Sequence, residues 1–166
     1  MKLHWVIFAL ATVLCWGLYG ALLNWGAAGF HHDRIKAFLF VGVAYFLVAV
    51  LAPAAIIAIN GSGFDFGKSP EGIKWSLIAG TAGAIGALTL LYALSGNIPK
   101  GATPAEAGLG AAQVMAVVFA GAPVVAALFA VYLKSQQPGA SVAIKPMFIV
   151  GILLSAAGGA IVTLFK

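Results

Sequence analysis

Charge is scarce in this sequence. Only 8% of its 166 residues are charged, nine basic and four acidic. A soluble domain typically carries about a quarter charged residues, because its surface must be solvated by water. Thirteen charges do not cover such a surface, so a water-soluble globule is excluded and a bilayer is the solvent that suits the chain. Cysteine is scarcer still. Cys15 stands alone, which excludes an intrachain disulfide framework, and its apolar neighbours suit a small packed side chain. Carboxylates are absent from every long apolar run, so proton exchange through a buried acid lacks its usual agent. Ser/His/Asp and Cys/His sets are missing too, and no enzyme activity, cofactor or resident metal is expected. The basic residues lie singly, Arg34 and Lys36 being the one close pair, with no basic stripe among aromatics. That pattern argues against nucleic acid and for lipid headgroups.

What the sequence does contain is apolar length, with 63% hydrophobic residues and a mean hydropathy of +1.07. About 20 apolar residues span the hydrocarbon as a helix. Five stretches qualify, over about 5–26, 37–59, 75–94, 109–133 and 147–165, and none contains Asp, Glu, Lys or Arg. The runs are continuous and do not alternate, which favours helices over a barrel. The fold class expected is all-α, a single five-helix transmembrane domain over 1–166. The first run continues from Trp5 to Leu23, no small-x-small cleavage site follows, and Leu14 before Cys15 does not fit a lipoprotein signal. An uncleaved helix is therefore expected.

Apart from Lys2 and Lys166, the connecting segments hold the charges, and with them most of the turn chemistry. Ser69-Pro70-Glu71 and Lys145-Pro146 read as helix starts, and Thr103-Pro104-Ala105-Glu106 reads as a capping box that begins the fourth helix in the interface. Gly61 and Gly96 are placed for left-handed caps after the second and third helices. Trp5, Trp25, Trp75 and Tyr132 lie near helix ends, the depth that amphipathic rings favour. With five spans the termini lie on opposite sides. One side then carries Lys2, Lys68, Lys74, Lys134 and Lys145, the other Arg34, Lys36, Lys100 and Lys166, a bias of five against four. Two readings stay open: one orientation on a weak signal, or insertion both ways.

Several motifs compete with simpler explanations. Gly67-Lys68-Ser69 ends like a phosphate loop, but Ser62 stands where the pattern needs glycine and no strand precedes it. A polar loop ending in a cap is the better reading. His31-His32-Asp33 lacks a second cluster to complete a metal site. Gly151, Ser155 and Gly159, with Gly80, Gly83 and Gly86 and with Gly17 and Ala21 on the first helix, form small-residue stripes suited to close helix packing. Asn24, Gln113, Tyr19, Tyr45, Thr89 and Tyr92 place polar groups within or at the ends of spans, where each needs a partner or lines a cavity. Pro53 and Pro123 interrupt apolar spans.

The helix order carries a resemblance. Leu14-Cys15-Trp16-Gly17-Leu18-Tyr19-Gly20 is similar to a first-helix Trp-Gly signature. Gly83-Ala84-Ile85-Gly86 followed by Tyr92-Ala93-Leu94, and Gly121-Ala122-Pro123-Val124-Val125-Ala126-Ala127-Leu128, resemble the third and fourth helices of the same repeat. Gly151 with Gly158-Gly159 resembles its closing helix. Together they resemble one five-helix repeat of the drug/metabolite transporter superfamily, EamA type. Lys134 is a departure, because members commonly carry glutamate just after the fourth helix. Members usually have two inverted repeats, so the resemblance implies a half-size transporter completed by a homodimer, antiparallel in one form, or by a paralogous half. It implies a small organic solute moved by alternating access in the cell membrane. Trp16, Gly17, Tyr19, Tyr45, Tyr92, Gln113 and Pro123 would line or shape the path. The alternative is a non-transporting membrane assembly or structural subunit.

Overall fold

The computed structural model describes residues 4–61, 63–64, 70–137 and 144–165. Among them there is no strand. The elements are α1 (His4–Gly29), α2 (Arg34–Phe46), a π-helical turn (Leu47–Leu51), α3 (Ala52–Ile59), α4 (Pro70–Asn97), α5 (Pro104–Ser135) and α6 (Pro146–Leu164). α2, the π turn and α3 run on as one span, Arg34–Ile59, so five spans are long and apolar enough to cross a membrane. The protein is a multi-pass helical membrane protein. α6 is the shortest of the five spans, and its 19 residues reach about 28 Å at about 1.5 Å per residue, close to the hydrocarbon thickness.

The helices extend beyond the apolar runs, and their caps explain where they stop. Hydropathy marks only the part that faces lipid, whereas the backbone stays helical until its end groups find other partners. Asp33 caps α2, its carboxylate accepting from the Ile35 and Lys36 amides at 3.1 and 3.2 Å. The Lys36 amide is the largest cause holding the Asp33 carboxyl below its usual value, helped by the Lys36 ammonium. Thr103 and Glu106 form the expected capping box on α5. Pro146 opens α6 after Lys145. Gly61 closes α3 with φ +64°, as expected of a left-handed cap. Gly96 does not play that part. It lies inside α4, which runs on to Asn97, and the left-handed glycine of that connection is Gly101 at φ +83°. Ser69 and the Gly67-Lys68-Ser69 segment lie outside the described residues.

α1 ends in a tight hydrogen-bonded turn. The His32 amide donates to the Ala27 carbonyl at 2.8 Å and the His31 amide to Ala28 at 3.2 Å, while His31 sits at φ 55°. This is a Schellman closure with histidine where glycine is usual. The two histidines therefore turn the chain.

The chain divides into two compact units, Met1–Ala21 with Asn97–Lys166, and Leu22–Gly96. In the first, α5 buries Ala107, Gly110, Ala111 and Met115, a helical face at three- and four-residue spacing. Gly20 of α1 packs here, where an added Cβ would stand 3.3 Å from Met115 Cγ. α6 packs on α5 through Gly159, which meets the Ala120 methyl and the Ala116 carbonyl. The second unit buries Ala87, Leu90, Leu91 and Leu94 along one face of α4, with Leu23, Ala27 and Ala37. Phe30 and Phe40 stack there, with centroids 5.5 Å apart.

Candidate functional site

In the first unit, the α1–α5 pairing brings aromatic and amide side chains together. Trp16 lies 5.6 Å from Tyr19, ring to ring, and edge-on to Phe119 at 6.4 Å. The Tyr19 hydroxyl is buried. Small residues set this arrangement: because Gly20 admits Met115 and Ala111 closely, Trp16, one turn earlier, reaches Phe119, one turn later. Phe119 was not foreseen, because helix pairing, which a single sequence does not display, selects it among the apolar positions of α5. Gly17 is not the close-packing glycine of this pair. An added Cβ at Gly17 meets nothing within 4 Å, and Gly20 takes that role.

Gln113 is held from α4. The Asn97 amide donates to the Gly110 carbonyl at 2.8 Å and to the Gln113 side-chain oxygen at 3.1 Å. Gly110 permits this closeness, since an added Cβ there would stand 2.9 Å from Ile98. Asn97 falls beyond the apolar run that marked the third span, so hydropathy assigns it to a loop. Pro123 leaves α5 helical throughout, and its missing amide takes the α-helical donor from the Phe119 carbonyl.

In the second unit, the predicted interruption at Pro53 takes a definite form. Proline has no amide, and its ring clashes with the carbonyl four residues back, here Ala49. The helix relieves that clash by widening. The Ala52 amide donates to Leu47, five residues earlier, and Leu47–Leu51 forms a π turn with every residue exposed. Tyr45 lies half a turn before it and is 43% exposed, and Tyr92 of α4 is 64% exposed. Neither is enclosed by its own unit. Thr89 donates to its own helix at Gly86, 2.9 Å away, so this hydroxyl satisfies itself.

A polar cluster that sequence reasoning did not assemble lies at one end of this unit. Arg34 donates to Ser95 Oγ of α4 at 3.1 Å and to Asn24 Oδ1 of α1 at 3.3 Å. Ser95 in turn donates to the Leu91 carbonyl at 2.8 Å. Asn24 is buried. Among the described residues no carboxylate lies within ion-pair distance of Arg34; the ion pairs are Lys36–Asp33 and Lys74–Glu71. The guanidinium fork thus ties three helices through neutral partners. A polar residue at the end of one span and a cation at the start of the next was the available signal, but it does not identify Ser95.

Two apolar clefts flank α6. One, of about 450 Å3, is lined by Val117, Ala120, Ala156, Gly159, Thr163 and Leu164 among others. The other, of about 240 Å3, is lined by Val124, Leu128, Ile144, Phe148 and Ile152 among others. The Thr163 hydroxyl is spent on the Gly159 carbonyl at 2.8 Å. No group of three or more His, Cys, Asp or Glu residues suited to a metal occurs among the described residues.

The chain matches no family model, no curated protein and no solved structure with which it was compared.

Proposed function

We propose that this chain is half of a transporter, similar to one EamA-type repeat, and that it moves a small organic solute across the cell membrane as a dimer. The observation that carries this reading is the π turn within the second span. Irregular backbone at membrane depth persists where protein or a watery cavity covers it. Transporters place solute at such interruptions, between repeats that rock against each other. The π turn before Pro53 fits that use, with Tyr45 beside it. The line of Trp16, Tyr19 and Phe119, with Gln113 on α5, supplies the mixed aromatic and polar lining that a small solute needs. The five spans correspond to one repeat, and this reading pairs it with an inverted second repeat.

The test is flux in proteoliposomes across a broad metabolite panel. The expected result is uptake or efflux of at least one solute class, weakened by Trp16→Ala and Gln113→Ala at unchanged assembly. No flux for any member of the panel contradicts the reading. A second reading, a membrane assembly subunit without transport, is favoured by the apolar clefts beside α6, whose linings suit a helix or an acyl chain better than a polar solute. A stable monomer in lipid that moves no solute supports it.

A further inference from the structure

The π turn leaves more backbone acceptors than donors. The Leu47 carbonyl is taken by the Ala52 amide. α3 then resumes with Leu51 as its N-cap, so the Leu51 carbonyl opens the next α-helical ladder at Ala55. Between them lie the carbonyls of Val48, Ala49 and Val50. Residue 53, the donor that would follow Ala52, is proline and has none. The Ala54 amide is the one helical donor remaining for the three. At least two carbonyls therefore lack a full backbone partner, and every residue of the turn is exposed.

Depth makes this deficit consequential. The span Arg34–Ile59 has its midpoint near residues 46 and 47, so Ala49 lies about 4 Å from it along the helix. Lipid tails offer no donor there. The neighbouring side chains, Leu47, Val48, Val50 and Leu51, offer none either. We infer that the Val48–Val50 carbonyls form a mid-membrane site for a hydrogen-bond-donating group of the solute. This inference deepens the transport reading and rests on it for the word solute.

The chemistry of the site narrows the class. Carbonyl oxygens only accept, so the ligand group must donate. Away from their ends the five spans carry no carboxylate to offset a full positive charge. Two or three carbonyls on one side of a single turn are too few to replace the hydration of an ammonium at this depth. A neutral hydroxyl or amide N–H is the group that fits. Water would satisfy the same acceptors, so the test separates a solute from water.

Dipeptide labelling resolves these carbonyls in the intact protein. Ala-Val occurs at 49–50, 116–117 and 130–131, and Val-Leu at 13–14 and 50–51. Val-Ala at 48–49 recurs at 43–44, 125–126 and 142–143. Solid-state NMR of carbonyl-13C, amide-15N pair-labelled protein in lipid bilayers therefore reads Val48, Ala49 and Val50, with Val13, Ala116 and Ala130 as helical references. Glycerol supplies a hydroxyl, methylammonium a charged donor, and 1,2-dimethoxyethane acceptors only. Glycerol is expected to move at least one of the three carbonyl resonances downfield and leave the references in place. Dimethoxyethane is expected to move none. In Pro53→Ala the new amide supplies one of the missing donors, and the glycerol response should weaken. No response to glycerol overturns the inference, because water alone then fills the turn. A response to methylammonium alone, or equally to dimethoxyethane, overturns it as well. Since the labels alter no side chain, the result with the unsubstituted protein stands whether or not Pro53→Ala folds. A glycerol response in a protein that moves no solute removes the transport reading and leaves the site. Flux without any response removes the site alone.

Discussion

Replacing Gly159 with alanine drives a methyl group into the contact between α6 and α5. The new Cβ overlaps the Ala120 methyl and stands 3.1 Å from the Ala116 carbonyl oxygen. Neither obstacle rotates away, because one is a Cβ and the other is backbone. The two helices must separate, on the order of an ångström, and the loss from such overpacking is about 1–3 kcal/mol. Alanine also stabilises a helix over glycine by about 1 kcal/mol in water, which offsets part of that loss. Gly151→Ala isolates the contact. It lies on the same helix and the same stripe, yet a Cβ there meets nothing within 4 Å. The propensity gain is common to both variants and cancels in their difference. Gly159→Ala is therefore expected to be less stable than Gly151→Ala by about 1–3 kcal/mol. The assay is reversible unfolding in mixed micelles titrated with dodecyl sulfate, followed by circular dichroism. Equal midpoints for the two variants would refute the packing described between α5 and α6.

Three further outcomes follow from local geometry. Arg34→Ala removes two hydrogen bonds and leaves the buried Asn24 oxygen unpaired, a loss of about 1–3 kcal/mol in the same titration, with Arg34→Lys recovering only part because it lacks the fork. His31→Gly relieves a left-handed residue at φ 55° and should stabilise the protein by about 1 kcal/mol. The Asp33 carboxyl has a lowered pKa in the folded protein, so its capping contribution is fully present above the ordinary value of 3.8 and is lost as pH falls through the lower folded value. Loss of hydrogen-exchange protection at the Ile35 and Lys36 amides, measured relative to the intrinsic rate as pH falls below the ordinary value and absent in Asp33→Asn, is the readout.

The sequence displays the five spans because lipid imposes a simple requirement, an unbroken apolar length, that composition alone satisfies. Capping was equally legible at Thr103 and Glu106, where both partners lie only three residues apart. What escaped is what depends on partners distant in the chain. Gly17 and Gly20 look alike in the sequence, and only the position of Met115 shows which one admits a neighbour. Gly96 resembled a cap until Asn97 found Gly110 and Gln113 to hold the helix open for another turn. Pro53 announced an interruption, but whether the helix kinks, breaks or widens depends on how the carbonyls before it rearrange. The Arg34 cluster joins residues 10 and 61 positions apart, beyond any local pattern.

The most direct test of the account concerns the odd number of crossings, on which its topology rests. His4→Cys and Phe165→Cys, introduced together with Cys15→Ala, place one thiol near each end of the spans. Intact vesicles are then treated with a membrane-impermeant maleimide, and the labels on each molecule are counted by mass. Five crossings predict one label per molecule, whichever way that molecule is inserted. Molecules carrying two labels, or none, beside fully labelled solubilised controls, would contradict it.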